Sequence, residues 1–142
     1  PMPFADGDEQ DLVDQLRSDG DLAVSLVAVG AQGSIIGHIG FSPVTIDHAA
    51  CRWFQMAPVS VCPGCQRQGV GSALIEAGLT RMRDQGAMGV AVVGNPAYYE
   101  RFGFGVIEGL APASAHDLPY FRAQSFTASA PAGTLRYAPA FG

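Results

Sequence analysis

The chain has 142 residues, 48% hydrophobic and 15% charged, with 13 acids against 8 bases and a formal charge of −5. That size suits one domain, residues 1–142, with a real core and leaves little room for a second. Every base is an arginine, which excludes Schiff-base and P-loop lysine chemistry, and without a basic stripe the counterion release that drives nucleic-acid binding has no surface to act from.

No apolar run approaches the roughly 20 residues of a membrane helix, and the N-terminus is acidic rather than a basic leader. Three cysteines do not build a disulfide framework, so reduced thiols are expected. These features predict a soluble, cytoplasmic protein with no membrane or nucleic-acid partner. Its acidity suits a cationic or neutral small one.

The first predicted element is a helix in "DEQDLVDQLRSDG", where Leu12, Val13 and Leu16 form a stripe and Gly20 is a stop. The crowd of acids from Asp6 to Asp21 reads as a solvated face. "LAVSLVAVG" and "SIIGHIGFSPVTI", joined by "AQGS", predict an antiparallel hairpin. "RWFQMAPVSVCP" is a third strand, in which Pro58 argues for a bulge or an edge.

From Gly69 to Gln85 the period becomes helical. Ser72, Glu76, Thr80 and Arg83 share a polar face, while Val70, Ala73, Leu74, Ala77, Leu79 and Met82 cover the rest, predicting a mostly buried helix closed by Gly86. "AMGVAVVG" is a continuous apolar run and therefore a central strand. Asn95 as cap, Pro96 at the first position and Gly103 past the end mark a short helix, "PAYYERF". "GFGVIEGL" reads as a strand, "APASAHDLP" as a loop, "YFRAQSFTAS" as a strand and "GTLRYAPAF" as a last extended piece. The order predicts a mixed α/β sheet covered by helices.

The segment "VCPGCQRQGVG", Val61 to Gly71, sits between a strand and a helix. A glycine-rich turn there aims free backbone N–H groups at one spot, and the helix dipole adds about half a positive charge, which makes an anion site. Gly69 and Gly71 allow close backbone approach, and Arg67 can add a charge-assisted contact. Neither of the two common nucleotide-binding glycine motifs has this spacing.

Val59-x-Val61-x-Pro63-x-x-Gln66-x-x-Gly69-x-Gly71 resembles motif A of the GNAT superfamily of N-acetyltransferases. "AVVGNPAYYERFGF" resembles that family's next strand and its Y-x-x-x-G-F motif, through Tyr99, Gly103 and Phe104. "PAYYERFGF" is especially similar to a branch of predicted bacterial N-acetyltransferases of unassigned substrate, as are "IGHIGFSPVTI" and "GTLRYAPAF".

The resemblance implies the GNAT (acyl-CoA N-acyltransferase) fold, a mixed, mostly antiparallel sheet splayed at the centre and flanked by helices. It implies an acetyl transfer from acetyl-CoA to an amine, with no metal. Backbone groups of Val59, Ser60 and Val61 would bind pantetheine, one N–H polarising the thioester carbonyl. Amides of Arg67, Gln68, Gly69, Val70, Gly71 and Ser72 would hold the phosphates. Gln66 and Asn95 complete the implied cofactor-binding set, although a cap role explains Asn95 well enough. Tyr99 stands where the family most often places the general acid. The acceptor would be a small-molecule or peptide amine, with Tyr98, Trp53 and Phe41 near the cleft.

The general base is not identified. Family members that draw a carboxylate from the strand before the cradle have it at the position of Gln55, and an amide cannot accept the proton. His38 reads first as a structural histidine and otherwise as an acceptor-side residue. Asp47, His48, His116, Glu100 and Glu108 read as solvated surface groups. The family's core also opens with a strand and a helix before the acidic helix. Truncation, dispensability and supply by a partner in a homodimer stay open.

Cys62 and Cys65 form a CxxC, but no second Cys/His pair completes a zinc set, and Gln66 to Val70 separate it from a helix N-terminus, where a redox pair belongs. Two rival readings therefore stand beside the enzyme: an acyl-CoA-sensing module of the same fold, and a thiol- or metal-dependent regulator.

Overall fold

The computed structural model describes residues 24–31, 33–65 and 69–137, so the expected acidic helix lies outside the described residues. The hairpin is present, β1 (Val24–Val29) running antiparallel to β2 (Ile35–Ile46). A two-residue turn then reverses the chain into β3 (Ala49–Val61), with Asp47 at φ 53° and His48 at φ 66°. Positive φ at both central residues matches the right-handed twist of the flanking strands, and the Asp47 carboxylate holds the turn by accepting from Thr134 N at 2.9 Å.

Pro58 does what its missing N–H predicts. Ile39 pairs with Val59 and Phe41 with Met56, so Ala57 and Pro58 together oppose Gly40 in a bulge. β3 is nevertheless no edge strand, because it lies between β2 and β4 (Gly89–Val93) in the order β5-β7-β2-β3-β4-β6, with β1 on β2.

The β3–β4 pairing is parallel and short, joining Trp53–Gln55 to Gly89–Ala91. Beyond Gln55 the two strands part. β3 continues along β2 alone, and β4 continues along β6 (Phe121–Ser125) as far as Val93. This parting positions the site.

Helix α1 (Val70–Asp84) ends at Gln85, and Gly86 follows at φ 85°. It is half rather than mostly buried: Leu74, Ile75, Gly78, Leu79 and Met82 face the sheet, while Ala73 and Ala77 are exposed. A methyl group gains little from burial, so the isoleucine takes the inner face and the alanines the outer. With Ile39, Phe41, Met56, Val90 and Val92 these side chains form one core. A second, on the opposite face of the sheet, joins Val44, Ile46, Trp53, Ala91, Phe121, Ala123 and Leu135. β4 thus buries both faces, which is why it reads as an unbroken apolar run.

The short helix α2 (Pro96–Glu100) is capped as expected, Asn95 Oδ1 accepting from Ala97 N at 3.0 Å. "GFGVIEGL" is not a strand: positive φ at Gly103 and Gly109 breaks it, and Gly105 makes only an isolated bridge to Ala123. The strand there is β5 (Leu110–Pro112), which pairs in parallel with β7 (Gly133–Arg136). The predicted loop "APASAHDLP" therefore begins as a strand, and its second half winds into a 3-10 segment, Ala115–Tyr120. β6 stops at Ser125, whose hydroxyl turns back onto Thr127 and Ser129.

Candidate functional site

The turn after β3 opens with a 3-10 stretch, Pro63–Cys65, and reaches α1 at Gly69, which adopts φ 80°, ψ 4°. This left-handed conformation costs glycine least. Gly69 has no side chain to cap the helix, and the first turn holds no acid. α1 thus presents its first amides, and the positive end of its dipole, without an internal counter-charge.

Those amides open into a cleft of about 520 Å³. Val59 and Val61 line one side of it, Gly69, Gly71 and Ser72 the floor, and Tyr98, Tyr99 and Arg101 of the α2 region the other. The cleft occupies the gap where β3 and β4 have parted.

Tyr99 is held by shape. Its ring lies over Gly94, where a Cβ would come within 2.7 Å of it, and meets Phe104 edge-on at 6.1 Å. Burial, and secondarily the neighbouring Tyr98, push its phenol above the usual value of 10.0. It therefore stays protonated at neutral pH and can serve as a proton donor.

Five of the sequence-predicted cofactor residues, Val59, Val61, Gly69, Gly71 and Ser72, come together with Tyr99 in this cleft. Val70 turns its side chain to the first core, Ser60 is buried as the cross-strand partner of His38, and the Asn95 side chain is engaged in its cap. Gln66, Arg67 and Gln68 lie outside the described residues. Trp53 and Phe41, expected near the cleft, do not line it. Phe41 is fully buried beneath α1, and Trp53 lines a separate cavity of about 540 Å³ with Met88 and Pro131.

Tyr98 lines the cleft as expected, whereas Arg101 escaped the sequence reading. The Tyr98 hydroxyl reaches the floor, so close that a Cβ on Gly71 would lie 3.2 Å from it. Arg101 places its guanidinium over the Tyr98 ring at 5.3 Å, a cation–π contact that aims a permanent charge into the cleft. The signal was the three-residue spacing of Tyr98 and Arg101 on one helical turn.

On the sheet face opposite α1, His38, Ser42, Gln55 and Ser60 are all buried. His38 Nε2 lies 2.7 Å from Ser25 Oγ. Glu100 is exposed and pairs with Arg122 at 3.1 Å, and Asp47, His48, Glu108 and His116 are exposed. Cys62 is half-buried with a free thiol. Among the described residues no three His, Cys, Asp or Glu side chains gather to hold a metal, and no helix is long and apolar enough to cross a membrane.

Residues 1–104 match the family described as the acetyltransferase (GNAT) family. The chain belongs to it. Over 115 residues it is 37% identical to uncharacterized N-acetyltransferase YhbS of Escherichia coli (strain K12), a match covering 81% of this chain and 65% of that protein. Over 121 residues it is 35% identical to uncharacterized N-acetyltransferase YjhQ of the same strain, covering 82% and 65% respectively. The match thus spans less than two thirds of the length of these relatives.

Its GNAT fold superposes on crystallised E. coli YhbS in complex with CoA with a TM-score of 0.91 at 30% identity, covering 98% of this chain and 80% of that one. A GNAT acetyltransferase from Brucella melitensis in complex with acetyl-CoA gives 0.82 at 37% identity, covering 100% and 83%.

Proposed function

We propose that this GNAT chain is a cytoplasmic N-acetyltransferase that moves an acetyl group from acetyl-CoA to an amine by direct attack on the thioester. The observation that carries the reading is one cleft holding an acid-free helix N-terminus at one end and a proton-bearing tyrosine at the other. The CoA and acetyl-CoA complexes of its two structural relatives support the choice of donor.

The residues present fit that donor. First-turn amides of α1 and the Arg101 guanidinium would take the phosphates, and glycine at 69 and 71 leaves room for them. From Met56 onward β3 runs without β4 at its side, so the amide-bearing pantetheine arm can lie along it as a surrogate strand. Acetyl-CoA brings the activated thioester. The chain aligns it, excludes water with Val59 and Tyr98, and donates the Tyr99 proton to the departing sulfur. The amine nitrogen bonds to the acetyl carbon as the C–S bond breaks, and the proton it loses restores the tyrosine through solvent. The products are the amide and CoA thiol.

Titration calorimetry with acetyl-CoA, followed by a CoA-release assay over a set of amines, tests this. Arg101→Ala should weaken acetyl-CoA binding about tenfold, the scale of one charge-assisted phosphate contact. Tight binding without CoA release by any amine would favour the sensing module instead.

A further inference from the structure

The side chains of the polar row lie on the face opposite α1 and its first-turn amides. Ser42 is 0% exposed, Gln55 6% and Ser60 7%, yet Ser42 Oγ, Gln55 Oε1 and Ser60 Oγ have no hydrogen-bond partner. A buried polar atom left unpaired costs about 1–3 kcal/mol, so three on one face call for an explanation.

Their placement depends on the bulge. Gln55 and Ser60 are five apart, an odd separation that would put them on opposite faces of a regular strand. The extra residue at Ala57–Pro58 turns both to one face, where Ser42 pairs with Gln55 and His38 with Ser60 across the ladder. Gln55 is also the last β3 residue to pair with β4. The row therefore begins where the strands part and the donor cleft opens.

We propose that Gln55 and Ser42 form the acceptor subsite and select an amine that is substantially uncharged near neutral pH, such as the α-amine of a peptide, over a lysine ε-amine. This rests on the acetyltransferase reading above. Directly cross-strand side chains have Cβ atoms about 4.5–5.5 Å apart, so Oε1 and Oγ can accept the two N–H bonds of one neutral amine and leave its lone pair for the acetyl carbon. No carboxylate is buried among the described residues, so nothing there offsets the cost of burying an ammonium. An α-amine has a pKa of about 7.7–8.0 and a lysine about 10.4. At a pH of about 7.5 roughly a quarter to two fifths of the first is neutral, against about one part in a thousand of the second.

Two short peptides test the subsite, one with a free N-terminus and no lysine, the other N-acetylated with one lysine. The free N-terminus should be acetylated with at least tenfold higher kcat/KM. Gln55→Met, nearly isosteric but without the acceptor, should raise the peptide KM about tenfold with the acetyl-CoA Kd unchanged, and Ser42→Ala should raise it in the same direction if the Met variant does not fold. Gln55→Glu, which adds a charge partner, should narrow the preference at least tenfold, a change that a purely structural glutamine would not produce. Equal or preferred use of lysine, or an unchanged peptide KM in the variant that folds, overturns the subsite alone. Acetyl-CoA binding with no turnover of any amine overturns the acetyltransferase reading and the subsite with it.

Discussion

Tyr99 shows how packing sets both the orientation and the protonation of one side chain. The missing Cβ at Gly94 lets the ring lie against the backbone, the edge of Phe104 fixes its angle, and burial keeps the phenol protonated. Tyr99→Phe should keep all of that packing and remove the proton. Turnover should fall about 10²-fold or more, the low end of a general-acid contribution, with the acetyl-CoA Kd within twofold of wild type. The alkaline limb of the kcat profile should lie above pH 10, since the raised pKa means the acid is lost only beyond the ordinary tyrosine value, and the variant should lack that limb. A variant with undiminished kcat would remove Tyr99 from the chemistry. The neighbouring Tyr98 and Arg101 carry no such single-residue signature in the sequence. Their spacing on one helical turn pairs them with each other, but it does not state that both reach the cradle.

At the scale of elements, α1 is held against β2 by an absence. A Cβ on Gly78 would lie 2.5 and 2.6 Å from the Phe41 ring, which is itself 0% exposed and has nowhere to move. Gly78→Ala gains up to about 1 kcal/mol of helix propensity but overpacks the core at a cost of about 1–3 kcal/mol. The second effect should win. The urea midpoint should drop, and the Kd for acetyl-CoA should rise as α1 and its N-terminus are displaced; a stabilised variant would refute this account of the contact.

The same comparison separates what was legible in the sequence. β3, the glycine turn and α1 were readable because strand period, glycine and helix period follow one another within a few residues, and Pro58 announced its bulge by lacking a donor. β5 was not, because a three-residue strand ending in Pro112 has no pattern of its own and exists only through Gly133–Leu135 beside it. The Gln55–Ser42 row was hidden for a related reason. Alternation places Gln55 and Ser60 on opposite faces until the bulge is located to the residue. Its four polar members come from two strands paired in a register that residue spacing does not state.

At the scale of the whole molecule, the sheet divides two cores, and its far end is closed by a tyrosine. Tyr137, just after β7, packs on the second core and lies beside Asp117 of the 3-10 segment Ala115–Tyr120. Burial first, and then the Asp117 carboxylate, raise its pKa far above the usual range. Tyr99 is raised as well, and both shifts have the same consequence. The folded state holds these protons more tightly than the unfolded chain, so the contribution to stability is complete below a pH of about 10 and is lost as pH climbs through the folded values. The chain has no lysine, and cysteine titrates nearer 8.5, so between pH values of about 9.5 and 11.5 tyrosine is the side chain that changes charge. The urea midpoint should therefore fall across that interval. In Tyr137→Phe it should fall less steeply, because one of the two raised protons is gone. A midpoint independent of pH, or an equal slope in the variant, would show that the Tyr137 proton is not part of what closes the second core.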